Sequence, residues 1–144
     1  MTVITIPSGT TDISDNWYQN GGYTDISWGD SQVVTIGEYA FYKNDISSLE
    51  IPNSVTTIEK GAFQENDMSS LTFEDDSSLL SIGQYAFYKN DITSLEIPNS
   101  VTTIEEGAFQ ENDMSSLTFQ SGSDLSSIGQ YAFYKNDITS LEIP

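Results

Sequence analysis

The chain has no cysteine, no histidine and no arginine among its 144 residues, and only four lysines. Without cysteine there is neither a disulfide framework nor a thiolate metal site. Lacking histidine, cysteine and arginine, it also lacks the usual general bases, nucleophile pairs and phosphate clamps. Carboxylates alone can hydrolyse glycosides, but only as two acids held at a fixed separation across the bond. The sequence therefore reads as non-enzymatic. Basic charge is scarce too, since 22 Asp and Glu leave a net charge of −18. Such a surface repels phosphate backbones and anionic lipids, so nucleic acid is not an expected partner. No run approaches the ~18 apolar residues of a membrane span, and membrane insertion is not expected. The opening Met1–Pro7 lacks the basic start and apolar run of a secretory signal.

What is present is a folded composition, 12% aromatic, too rich for a disordered acidic tail, and a repeat. Leu49–Ser70 recurs as Leu95–Ser116 with only Lys60 changed to Glu106. Leu71–Ser94 recurs as Leu117–Ser140, with every change between Glu74/Gln120 and Leu80/Ser126. The two segments resemble each other, so a 46-residue double unit holds coils of 22 and 24 residues. The shared pattern is Asn-x-[Ile/Met]-x-x-Leu-x-[Ile/Phe], a variable gap, then [Val/Leu]-x-x-Ile-x-x-x-Ala-Phe-x-x-Asn. All length variation lies in the gap after Ile51 or Phe73, which marks it as an exposed loop. Coils start at Ile4, Ile26, Leu49, Leu71, Leu95 and Leu117, followed by a bare seventh strand, Leu141–Pro144. Residues 1–30 are a degenerate N-terminal capping repeat, with Trp17-Tyr18 where later coils have Ala-Phe. Residues 31–144 are the regular repeats, ending in an uncapped strand.

Leu-x-Ile and Leu-x-Phe alternate as strands do. Pro52 and Pro98 end those strands because proline has no N–H for a ladder. Val-Thr-Thr-Ile is a candidate second strand, and the Ala-Phe segment is long enough for one helical or 3-10 turn. The expected fold is a mainly β solenoid, a right-handed leucine-rich-repeat coil with parallel strands and short helical or 3-10 turns. This pattern resembles the BspA-like leucine-rich repeats, in which an Ile-Pro strand, a Val-x-x-Ile segment and an Ala-Phe turn follow one another. The resemblance covers residues 4–144 and implies an extracellular or cell-surface protein acting in adhesion. One departure is that many members carry Cys near the Ala-Phe turn, where Lys-Asn or Glu-Asn stands here.

Aligned coils bring ladders into view. Asn44, Asn66, Asn90, Asn112 and Asn136 recur, and inward Asn side chains suit backbone groups that burial would leave unpaired. Before them run Lys43, Glu65, Lys89, Glu111 and Lys135, so each Lys is expected between carboxylates, an arrangement that fixes register. After them run Asp45, Asp67, Asp91, Asp113 and Asp137. Stacked carboxylates can hold calcium, but no EF-hand loop or calcium-binding nonapeptide is present, and Asp beside Asn suits a tight turn. No cofactor is expected, calcium being the weak candidate. Tyr39, Tyr85 and Tyr131 alternate with Gly61 and Gly107, which points to a ring lying over the glycine of the adjoining coil. Tyr42, Tyr88 and Tyr134 alternate with Gln64 and Gln110 and form an exposed row at every second coil, the candidate ligand-binding residues. Outward strand positions are small or acidic: Thr5, Ser27, Glu50, Thr72, Glu96, Thr118 and Glu142. Thr56-Thr57 and Thr102-Thr103 are too irregularly repeated for an ice-binding array.

Two functions follow. One is an adhesive or receptor-like module that binds a protein or glycan surface through the tyrosine row. The other is a structural subunit joining copies of itself head to tail, with Val3, Ile4, Ile6, Leu141 and Ile143 as the self-assembly edges. Exposed strand edges template such pairing, and contacts that do not close give filaments.

Overall fold

The computed structural model describes all 144 residues and shows a parallel β solenoid of six coils, without helix. Its strands in chain order are β1 (Val3–Thr5), β2 (Asp12–Ile13), β3 (Asp25–Ser27), β4 (Thr35–Ile36), β5 (Ser48–Ile51) and β6 (Thr57–Ile58). They continue as β7 (Ser70–Phe73), β8 (Ser81–Ile82), β9 (Ser94–Ile97), β10 (Thr103–Ile104), β11 (Ser116–Phe119) and β12 (Ser127–Ile128). Each coil supplies one strand from Leu-x-[Ile/Phe] and one from the β-branched segment. As expected, β5 and β9 stop before Pro52 and Pro98.

The two faces differ. The short strands form one unbroken parallel sheet in the order β2-β4-β6-β8-β10-β12, in matched register from Ile13↔Ile36 to Ile104↔Ile128. The longer strands, which carry the stronger sequence signal, join only in pairs: β1 with β3, β5 with β7, β9 with β11. Pairing occurs where successive strands are offset by 22 residues, as Leu49↔Leu71 and Leu95↔Leu117 show (71 − 49 and 117 − 95). It fails where the coil is longer, between β3 and β5 and between β7 and β9. The extra residues lie in the loop after the longer strand, after Trp28 and after Phe73.

The interior is one cluster of apolar ladders from Ile4 to Ala132. Along its axis Tyr18, Phe41, Phe63, Phe87, Phe109 and Phe133 stack face to face. Their ring centroids are 5.1–5.5 Å apart and their planes within 8°. This spacing exceeds the ~4.8 Å strand repeat only slightly, so the coil rise sets a stacking distance that aromatic rings favour.

Two expectations need correction. The Ala-Phe segments are turns rather than helical or 3-10 pieces, because each is bracketed by residues with positive φ. Tyr39 (φ 53) and Lys43 (φ 52) flank one turn, Gly61 (φ 61) and Glu65 (φ 56) the next. A left-handed residue at each end breaks the run of right-handed dihedrals that a helix needs. The bare seventh strand is also absent, since Leu141–Pro144 forms no strand. It lies across a long, 24-residue offset from Leu117 (141 − 117), the kind of junction at which β7 and β9 do not pair either.

Candidate functional site

The buried asparagines carry the coil turns. Asn44, Asn66, Asn90 and Asn112 are 4–5% exposed. Asn66 Nδ2 donates to the Phe41 and Phe63 carbonyls at 3.0 and 3.1 Å, and its Oδ1 accepts the Ile46 N–H at 3.2 Å. Asn90, Asn112 and Asn136 repeat this arrangement. Each asparagine thereby satisfies buried backbone groups in two coils at once, which is a structural role.

Tyr39 and Tyr85 lie over Gly61 and Gly107: a Cβ at either glycine would collide with the ring. The reverse junctions use glycine differently, since a Cβ at Gly83 would come within 2.7–2.9 Å of the Ile58–Lys60 backbone. Coils thus alternate between a tyrosine class (Gly-x-Tyr-Ala-Phe) and a glycine class (Glu-x-Gly-Ala-Phe), and neither can stack on its own kind in the same way. The single change within Leu95–Ser116 falls here, where Glu106 accepts a 3.1 Å hydrogen bond from the Tyr85 hydroxyl. That bond, more than burial, raises the Tyr85 pKa, because ionisation would set two anions together.

The candidate ligand row is braced from two sides. Tyr42, Tyr88 and Tyr134 each contact the tyrosine three residues earlier, with centroids 5.7, 5.6 and 5.5 Å apart. The next lysine sits over each ring, Lys43, Lys89 and Lys135 at 5.2, 5.3 and 5.9 Å from the centroid. Tyr42 and Tyr88 are half-buried, and Tyr134 in the last coil is exposed. The charge ladder is only partly formed. Lys43 pairs with Glu65 at 3.6 Å and Lys135 with Glu111 at 3.0 Å, while Lys89 has no carboxylate within 4.0 Å and keeps to Tyr88. One reason is that each glutamate has a lysine on both sides and turns toward one of them. Lys135 holds the Glu111 carboxyl below its ordinary range. Lys43 is raised by its bond to Tyr42 and by Glu65, and Lys135 by Glu111.

Asp45, Asp67, Asp91, Asp113 and Asp137 are exposed, and no group of three acidic side chains is placed to hold a metal ion. The edge residues fare unequally. Ile4 and Ile6 are core residues, 3% and 2% exposed; Ile4 lies in the β1–β3 pair and the Ile6 N–H donates to the Ser27 carbonyl. Val3, Leu141 and Ile143 are exposed. Sequence reasoning missed the clefts where the long strands part. One of about 370 Å³ lies at the β3–β5 gap beside Trp28, Ser48, Glu50 and Thr72, and another of about 280 Å³ at the β7–β9 gap beside Thr72, Ser94, Glu96 and Thr118. The alternation of 22- with 23- and 24-residue offsets was the available signal.

Residues 1–81 and 80–144 both match the BspA type leucine rich repeat region, in six copies. The chain belongs to the BspA-type leucine-rich repeat family. This BspA-type chain is also similar to the crystal structure of the pneumococcal vaccine antigen PcpA, at 26% identity and a TM-score of 0.68. The match covers 94% of this chain and 32% of that one, so the chain spans about a third of PcpA. Among curated proteins none matches the sequence.

Proposed function

We propose that this BspA-type solenoid is a non-enzymatic, extracellular or cell-surface module that binds a protein or glycan surface through Tyr42, Tyr88 and Tyr134. The observation that carries this reading is the bracing of each tyrosine by a second tyrosine and a lysine, repeated at every second coil. Rings held at a regular spacing on a stiff scaffold bind with little loss of side-chain entropy. Two coil heights are roughly 10 Å, a spacing that suits a repetitive or extended ligand. The surface location draws support from the family and from the likeness to a vaccine antigen. The test compares the chain with its Tyr42, Tyr88, Tyr134→Ala variant on glycan arrays and in pull-downs of surface proteins, with circular dichroism to show that the variant folds. Ligands retained undiminished by the folded variant would sink the reading.

The self-assembly reading has one observation in its favour. In the last coil Ile128, Phe133 and Ile138 are only partly buried, whereas Ile104, Phe109 and Met114 in the coil before are wholly so. The N-terminal end offers no matching face. Tyr18 is stacked by Phe41 on one side and by Trp17, at 5.3 Å and 20°, on the other. The Trp17 stack on Tyr18 supports reading residues 1–30 as a cap.

A further inference from the structure

The tyrosine row belongs to a longer alternation that runs through all six coils, and backbone hydrogen bonds place one residue of it in each. The Lys43 N–H donates to the Gln64 carbonyl, Glu65 to Tyr88, Lys89 to Gln110 and Glu111 to Tyr134, at 2.8–3.1 Å. Asn20 donates in the same way to Tyr42 at 2.8 Å, which makes Gln19 the counterpart in the first coil. The row therefore reads Gln19, Tyr42, Gln64, Tyr88, Gln110, Tyr134, an amide and a ring by turns. All six side chains are at least partly exposed. The rise from one to the next follows the coil spacing, which the stacked phenylalanine centroids mark at 5.1–5.5 Å.

We propose that this row binds a neutral, extended β-1,4-linked glycan lying along the solenoid axis, one sugar to each coil. The proposal rests on the reading of Tyr42, Tyr88 and Tyr134 as ligand-binding residues and names their ligand. In an extended β-1,4 chain each pyranose is turned half a revolution from the last, and its rise per sugar matches the rise per coil. The same sugar face therefore returns at every second coil, where the protein returns a ring. The C–H face of a pyranose stacks on tyrosine. The sugar between offers hydroxyls to Gln64 or Gln110, whose amides both donate and accept. Lys43 and Lys135 lie over their rings, but at 50% and 57% exposure they have room to turn to a hydroxyl. An extended peptide fits less well, since at about 3.1–3.4 Å per residue it sets no whole number of residues on a coil. An α-1,4 glycan winds away from a straight row. An anionic glycan is opposed by the net charge of −18.

The test titrates the whole chain with β-1,4-linked oligomers of glucose and of N-acetylglucosamine, from disaccharide to hexasaccharide, in a calorimeter. Oligomers of α-1,4-linked glucose and a proline-rich peptide serve as contrasts. Affinity should climb with each added sugar in at least one β-1,4 series, and the series that binds identifies the sugar. Tyr88→Ala should weaken the hexasaccharide by about tenfold. Gln64→Ala combined with Gln110→Ala should do the same, with circular dichroism to show that each variant folds. Affinity independent of length, equal binding of the α-1,4 oligomers, tighter binding of the peptide, or full affinity in the glutamine variant would overturn the proposal. Should neither β-1,4 series bind while another surface ligand is lost in the Tyr42, Tyr88, Tyr134→Ala variant, the glycan assignment falls and the tyrosine site stands. Should no binding depend on the tyrosines, both fall.

Discussion

The Tyr39 ring fills the space into which any residue but glycine would place a Cβ at position 61. Gly61 also has φ 61, so alanine there faces left-handed strain of about 1 kcal/mol and overpacking of roughly 1–3 kcal/mol. Gly61→Ala should lower unfolding free energy by about 2–4 kcal/mol in a denaturant titration. Gly9, with φ 78 and nothing within 4 Å of its Cβ position, isolates the strain. Gly9→Ala should cost only about 1 kcal/mol. Equal losses at the two sites would show that the ring contact contributes nothing.

Asn66→Ala strands the buried Ile46 N–H and takes a donor from two phenylalanine carbonyls. A buried group left unpaired costs about 1–3 kcal/mol, so the variant should lose roughly 3 kcal/mol or more. Asn136→Ala, in the half-buried last coil, should lose less. The same denaturant titration ranks them, and the reverse order would contradict the clip account.

Phe87 has a phenylalanine on each ring face, at 5.3 and 5.2 Å, whereas Phe133 has one on a single face. Phe87→Ala should cost about 3–5 kcal/mol, as large aromatic truncations in cores do. Phe133→Ala should cost visibly less, because its cavity opens to solvent. Thermal melts of the two variants decide the point.

Stability should depend on pH through Glu59. Its carboxyl is raised by burial first and then by Asp15 and Glu38. A carboxyl raised on folding makes the native state take up the proton first, so stability grows as pH falls through the folded pKa and levels off below the unfolded one. Glu111 acts oppositely, since its pKa is lowered. Its contribution is intact above the unfolded value and fades only as pH drops through the folded one. Between neutral pH and about 5 the Glu59 effect should therefore dominate, and relief of the acidic surface adds to it. Tm should rise over that range in the parent chain and rise less in Glu59→Gln. Identical slopes would remove Glu59 from the account.

Much of this was legible in the sequence because a repeat multiplies every signal. The strand ends at Pro52 and Pro98, the inward asparagines and the tyrosine over glycine all follow from residue chemistry read at the same place in successive coils. Other features depend on distances that letters do not carry. The longer strands separate into pairs where the offset exceeds 22 residues, by one residue after Trp28 and by two after Phe73. The Ala-Phe turns escape helix because Lys43 and Glu65 take left-handed dihedrals that are unusual for such side chains. Lys89 turns to Tyr88 rather than to a carboxylate, a choice among side-chain rotamers. Trp17 looked like a worn copy of an alanine, and its role over Tyr18 emerged only with the geometry.

The alternation of Tyr39 over Gly61 with Gly83 against the Ile58–Lys60 backbone also bears on how such a gene can change length. Misaligned recombination between its near-identical segments gains or loses DNA in blocks. A block encoding 46 residues returns a reading frame in which every tyrosine still meets a glycine. A block encoding one coil sets like against like at the seam, tyrosine on tyrosine or a glutamate where the close-packed glycine belongs, and the product loses its fold. Length variants of this gene should therefore differ by even numbers of coils.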